Sequence, residues 1–377
     1  MARIRTTHTG SLPRPADLAG LLHRHDRGEE APGLQERARA AVAEIVRYQA
    51  DLGLDLVNDG EQGKIGYSTY VRERLTGFEG DSEQPARLQQ EFEDHPDFAE
   101  RMAARRTAIS TPACTGEVRV RDHDAARRDV ANLTAAANAA GVTPDRLFLT
   151  AASPGVISMF FANHYYPTRE AFLTAVAEAM RDEYRAITDA GITLQLDCPD
   201  LAAGRHALFS QMNLEEFRRE AALNVEALNH AVRDVPAERL RLHVCWGNYD
   251  GPHDHDVPLR DIVDLILRAK PAGISLEAAN PRHGHEWRVW ADVSVPDGRY
   301  LIPGVVESTN NFVEHAELVA ERLLRYARVV GPEWMVAGSD CGFATFAGMS
   351  AVVPSVAWSK LASLVEGARI ASMELGR

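Results

Sequence analysis

The feature that most constrains this chain is a rhythm. Short apolar runs ending in polar or turn residues alternate with longer stretches of helical spacing, almost from end to end. The short runs are Arg3-Ile4-Arg5-Thr6, Leu54-Asp55-Leu56-Val57-Asn58, Arg146 to Thr150, Ile192 to Leu196, Leu240 to Cys245, Ile274 to Glu277, Tyr300 to Val306, and the run from Val336 toward Cys341. Helices are expected over 33–52, 124–140, 169–190, 214–233, 258–269 and 312–330, with one more near the C-terminus. Parallel strands need a long crossover between them, usually a helix, and about eight such units is the count of a (β/α)8 TIM barrel. The rhythm fails between about residues 62 and 122, a Tyr-, Arg- and Glu-rich stretch in which Gly116 to Val120 reads as a hairpin arm. The expected fold is therefore α/β. It is one barrel domain over 1–377, with an insertion at about 62–122 after the second strand, laid over one end.

In such a barrel the polar groups that follow the strands gather at one face, and there active sites form. Here nearly every strand is followed by such groups: Gly10-Ser11, Asp59-Gly60-Glu61, Ser153-Pro154-Gly155, Asp197-Cys198, His243 to Asn248, Glu277, Glu307-Ser308-Thr309 and Asp340-Cys341-Gly342. Partners are narrowed by charge. A formal net charge of −13 argues against a nucleic-acid backbone or an anionic membrane surface. No apolar run reaches the roughly 18 residues of a membrane span, and no leader is evident, so the chain is expected to be soluble and cytoplasmic. A homo-oligomer is compatible with all of this. Four cysteines are too few for a disulfide scaffold in so long a chain and are read as free thiols or ligands.

His243 and Cys245 lie two apart at a strand end, so both side chains point the same way. Imidazole and thiol are the donors a soft divalent metal prefers, Zn2+ above all. On its own the pair also fits a buried His beside a core Cys. Glu277 and Cys341, at the rims of two later strands, supply the remaining ligands and favour the metal. Cys114 and Cys198 are read as bystanders. His253-Asp254-His255-Asp256 is read as a solvated Pro/Gly-rich loop. Arg282, His283, His285 and Glu286 directly follow Glu277, where they suit substrate binding or proton transfer and equally an ordinary loop anchored by Trp287. Phe160, Phe161, Tyr165 and Tyr166 are read as packing under a loop in preference to walling a pocket.

With these residues assembled, the chain resembles the C-terminal catalytic half of cobalamin-independent methionine synthase over nearly its whole length. Thr6 to Pro13 resembles the family's opening Gly-Ser turn, Asp59-Gly60-Glu61 its Gly-Glu motif, and Leu194 to Asp197 its Gln-x-Asp strand. His243, Cys245, Glu277 and Cys341 match its zinc ligands in type and order. The resemblance implies a zinc-dependent alkyl (methyl) transfer to a small-molecule thiol, homocysteine or a similar one, with Ser11, Glu61 and Asp197 placing the amino-acid end. Two departures bear on the alkyl donor. Thr309 stands where the family has a catalytic histidine, and the folate-stacking tryptophan has no clear counterpart around Ser153 to Phe161. A short relative, epoxyalkane:coenzyme M transferase, opens an epoxide with a zinc-bound thiolate. That reading would place a sulfonate near Arg14, Lys64 or Arg282 and assign proton donation to His283 or His285. A metal-free lyase related to uroporphyrinogen decarboxylase and a zinc-storing protein are the other readings of the same barrel.

Overall fold

The computed structural model describes residues 3–80, 89–104 and 112–376; the rest of the expected insertion lies outside the described residues. Its strands are β1 (Arg5–Thr6), β2 (Phe78–Glu79), β3 (Ala113–Cys114), β4 (Phe148–Ala152), β5 (Thr193–Asp197), β6 (Leu240–Val244), β7 (Gly273–Glu277), β8 (Tyr300–Val306) and β9 (Val336–Ser339). Seven of them form one parallel sheet in the order β1-β9-β8-β7-β6-β5-β4, while β2 and β3 pair as a small antiparallel arm. Strand neighbours are joined through helices, and the curled sheet is a TIM-type (β/α) barrel.

The eighth position, between β1 and β4, is held by residues 54–58, which do not form the regular strand their sequence suggests. The Asp55 and Leu56 amides donate to the Thr6 carbonyl, and Val57 exchanges hydrogen bonds with Arg146 and Phe148. Side chains take up the rest of the pairing. The Asp55 carboxylate accepts the Thr6 amide (2.9 Å) and hydroxyl (3.1 Å), and Arg146 donates to the Leu54 and Asp55 carbonyls at 2.7 Å each. Polar side chains thus close the ring where a ladder would otherwise run.

The outer helices form where the spacing predicts them, because one face of each is apolar. Helix Leu34–Leu52 buries Ala38, Ala41, Val42, Ile45 and Val46. Helix Leu214–Ala231 opens on a capping box in which Asn213 and Glu216 satisfy each other's amides. The expected helix 258–269 is broken into a turn at Leu259–Asp261 and a short helix at Val263–Arg268. Arg241, in mid-strand on β6, lies inside the barrel across the Phe148 ring (3.6 Å to the centroid). It donates to Gln195 (2.6 Å), Thr7 (3.0 Å) and the His8 carbonyl (2.7 Å), so its burial is matched by partners.

The described residues of the 62–122 stretch contact loops that follow the strands. Residues 116–120 run beside Leu75–Gly77 as the arm expected there. Helices Gln89–Asp94 and Pro96–Ala103 lean on the loop after β6, where the Tyr249 hydroxyl sits 2.8 Å from both oxygens of buried Glu91. Ion pairs His95–Asp254 (2.9 Å), His255–Asp94 (2.8 Å) and Arg101–Asp250 extend the contact. No described helix is long and apolar enough to cross a membrane.

Candidate active site

Three donors converge at the rim. His243 lies in β6, Cys245 just beyond it, and Cys341 in the turn after β9. One donor atom of each lies within 4.8 Å of the others; His243 Nε2 is 3.4 Å from Cys341 Sγ, and the two sulfurs are 2.9 Å apart. The other ring nitrogen, Nδ1, faces the Ser275 hydroxyl at 3.3 Å, which turns Nε2 toward the sulfurs. Burial, with Arg241 behind it, lowers the His243 pKa to about 3, so the imidazole is neutral and its lone pair is free to bind. Its contact with Cys245 and then burial push the Cys341 thiol well up. For Cys245 the sulfur contact lowers the pKa, but burial and Glu277 outweigh it. A neutral imidazole and two buried thiols that cannot ionise unaided fit a soft divalent cation in donor chemistry.

Glu277 stands beside Cys245 but outside this three-donor group. One carboxylate oxygen accepts the Trp246 amide (2.8 Å) and the other the Asn280 side chain (2.9 Å). Asp340, next to Cys341, fixes the same loop: its carboxylate accepts the amides of Ala278 (2.8 Å), Ala279 (2.9 Å) and Asn280 (2.6 Å). Cys198 and Cys114 are buried elsewhere.

Ser11, Glu61 and Asp197 all line the same cavity as the three donors, a space of about 900 Å³ counting its open mouth. Glu61 has a left-handed backbone (φ 55°), rare for a residue with a side chain, pinned by Asp59 accepting its amide at 2.9 Å. One Glu61 oxygen accepts the Thr150 hydroxyl (2.9 Å); the other is buried without a partner among the described residues. Asp197 accepts from Gln195 at 2.7 Å, and burial followed by the charge of Glu61 raises its pKa to about 8. Two crowded carboxylates with an unused oxygen call for a cation. No lysine or arginine lines the cavity among the described residues. Lys64 donates to the Thr150 carbonyl, Arg14 to the Glu61 and Ala344 carbonyls, and Arg282 is exposed. Backbone clearance is tight around Ser11, since a Cβ on Gly342 would stand 2.1 Å from its hydroxyl.

Neither His283 nor His285 lines this cavity. His285 is exposed, and His283 is buried between Asp256 and Glu286, 2.9 Å from each. The loop expected to be solvated is half buried: the side chains of His253 and Asp256 are 5% and 2% exposed because each charge meets an opposite one. Phe160 walls the cavity together with Tyr67, Met159 and Phe346, while Phe161 packs in the core and Tyr165 is exposed. Thr309 bonds to Glu307 through its amide (2.8 Å) and hydroxyl and does not line the cavity. His206 does line it, and the sequence reading passed over it.

Comparison with known proteins bears on this arrangement. The family described as the catalytic domain of cobalamin-independent synthase matches residues 154–365, more than half of the chain. The chain is similar to the methionine synthase of Sulfolobus acidocaldarius, 25% identical over 98% of this chain and 93% of that protein. It is similar also to the methionine synthase of Thermococcus kodakarensis, 24% identical over 99% and 94%. Among solved structures, a B12-independent methionine synthase from Shewanella in complex with selenomethionine superposes with a TM-score of 0.75 at 19% identity, covering 99% of both chains. A protein from Listeria monocytogenes described as a putative vitamin-B12-independent methionine synthase gives 0.67 at 19%, covering 98% of both.

Proposed function

This chain belongs to the cobalamin-independent synthase catalytic-domain family, and from that premise we propose that it methylates the thiol of a small amino acid, homocysteine or a close analogue, at a zinc site. Membership makes it a methyltransferase of the methionine synthase type; the metal, acceptor and donor are the finer reading. His243, Cys245 and Cys341 hold the metal, with Glu277 as fourth ligand once one of its oxygens leaves its present partner. When bound, zinc would keep the acceptor's sulfur as thiolate at neutral pH.

The chain's own residues do the rest. Glu61 and Asp197 take the acceptor's ammonium on the cavity side, where no described lysine or arginine lines the wall, and Ser11 positions its other end. Anchored there, the sulfur is held at a fixed place by the three-donor group, so that alkyl transfer becomes an alignment problem already solved by binding. Tyr67, Met159, Phe160 and Phe346 offer the donor an apolar wall, suited to an uncharged reacting end.

The observation that carries this reading is the carboxylate pair with its orphan oxygen on a cavity wall free of described lysine and arginine. Coenzyme M, with a sulfonate and no amine, finds the opposite of what it needs. A metal-free lyase would leave the imidazole and two thiols without a role. The test is a matrix of homocysteine, coenzyme M and glutathione against methylfolate, methylcobalamin and epoxypropane, following loss of free thiol on the zinc-loaded protein. Homocysteine should be consumed with a methyl donor; consumption of coenzyme M with epoxypropane instead would overturn the assignment.

A further inference from the structure

Behind the cavity lies a second set of imidazoles and carboxylates. His206 sits on the short helix Gly204–Ala207 that follows β5, and its ring lines the cavity while being 2% exposed. Its Nδ1 is 3.1 Å from Asp256 Oδ1, at an angle short of a full hydrogen bond, and neither atom has another partner among the described residues. Its Nε2 would stand 3.8 Å from a Cβ placed on Gly247, two residues past Cys245. The second oxygen of Asp256 faces His253 Nδ1 (2.8 Å) and His283 Nε2 (2.9 Å), and His283 Nδ1 faces Glu286 (2.9 Å). Beyond them a separate cavity lined by Asp256, His283, His285 and Glu286 reaches the surface.

This geometry fixes the charge on His283 and Asp256. Burial opposes charge on His283, but Asp256 and Glu286 prevail and raise it to about 10, so it is an imidazolium. Burial likewise works against the Asp256 carboxylate, yet contacts from His206, His253 and His283 hold it below the usual carboxylate range. A fixed carboxylate beside Nδ1 selects the tautomer with its proton there and leaves Nε2 as the basic nitrogen on the cavity side. Of the two histidines lining the cavity among the described residues, His243 belongs to the donor group, and Thr309 occupies the position where the resemblance expects a catalytic histidine.

We propose that His206, oriented by Asp256, is the proton carrier of the thiol alkylation, taking the acceptor's thiol proton and returning it to the departing group. The proposal rests on the methyl-transfer reading above. The thiol S–H bond breaks and its proton goes to His206 Nε2. The sulfur's electron pair forms the S–C bond, and the bond from the methyl carbon to the donor heteroatom breaks with its pair on the heteroatom. That heteroatom then takes the proton from Nε2, and His206 is neutral again. Thiol plus methyl donor gives thioether plus protonated donor, with no outside proton and no redox partner.

The test uses the full chain loaded with cobalt or zinc, comparing the parent with His206→Gln, His206→Asn and Asp256→Asn. Asp256 faces His206 directly and Tyr249, bonded to Glu91, packs edge-on to its ring, while His253, His283 and Glu286 lie beyond Asp256, so each effect is read as a difference between variants. Both His206 variants should keep metal content and thiol affinity, seen as sulfur-to-cobalt absorption, within about threefold, while kcat falls about 100-fold, the usual scale of lost general acid–base catalysis. Asp256→Asn should lower kcat in the same direction, because the carboxylate that fixes the His206 tautomer is gone, with thiol affinity again held. Parent-like kcat in the His206 variants, or thiol affinity falling in step with kcat, would overturn the proposal. A parent protein whose cobalt spectrum ignores thiols would instead overturn the methyl-transfer reading beneath it.

Discussion

Replacing Asp197 by Asn tests the ammonium site without any turnover. Folded and unliganded, Asp197 is raised from 3.8 to about 8, by burial first and Glu61 second. In the unfolded chain it ionises near its ordinary value. A carboxyl raised by folding contributes stability that is complete below the unfolded pKa and is lost as pH climbs through the folded one. The parent should therefore lose stability between about pH 4 and pH 8. Roughly four units at 1.36 kcal/mol each set a ceiling of about 5–6 kcal/mol, and water drawn into the site brings this to about 2–3 kcal/mol. Asn at this position has nothing to titrate. Unfolding entropy scales with length, so about 1 °C of Tm corresponds to each kcal/mol in a chain of this size. Calorimetry from pH 5 to 8.5 should show the parent falling about 2–3 °C relative to Asp197→Asn. The same titration governs binding: 2-aminobutyrate has the ammonium but no thiol, and its affinity for the parent should rise with pH up to about 8. In the variant it should be flat, and weaker at pH 8 by about 100-fold, the scale of a lost charge-assisted contact. Parallel Tm curves, together with pH-independent binding to the parent, would refute the reasoning.

Cys341→Ser should lower bound zinc and activity together, measured by metal analysis and thiol consumption on one preparation; activity surviving loss of the metal would contradict the assigned role. Gly342→Ala drives a methyl into Ser11 and should raise KM for the acceptor about tenfold, a cost of about 1.4 kcal/mol, with metal content unchanged. Asp340→Asn leaves at least one of three loop amides unpaired and should cost about 2–3 kcal/mol of stability in denaturant titration, with a matching loss of metal affinity as Glu277 and Asn280 come adrift.

The barrel was legible because strand and helix carry different periods, and the period changed at each boundary. The convergence of Ser11, Glu61, Asp197, His243, Cys245 and Cys341 was legible for the same reason, since each follows or ends a strand and a barrel gathers strand ends. What escaped was what depends on partners far apart in sequence. Residues 54–58 read as a strand, yet Asp55 and Arg146 take over hydrogen bonds that a ladder would have made. Arg241 gave no sign of its burial, because Gln195, Thr7 and the His8 carbonyl that satisfy it lie in other strands. His253 and Asp256 sit in a loop with the composition of a solvated one, and partners distant in sequence, His206, His283 and Glu286 among them, make it dry. His206 had no motif around it at all; its place on the cavity follows from the fold.

The central claim is that His243, Cys245 and Cys341 grip a metal that takes the acceptor's sulfur. Replacing zinc with cobalt and titrating with homocysteine tests it directly. Sulfur-to-cobalt absorption from the protein's own thiols should be present at the start and grow saturably as the acceptor adds a further sulfur, with 2-aminobutyrate giving no increase. A protein that binds no cobalt, or whose spectrum homocysteine leaves unchanged, would contradict it.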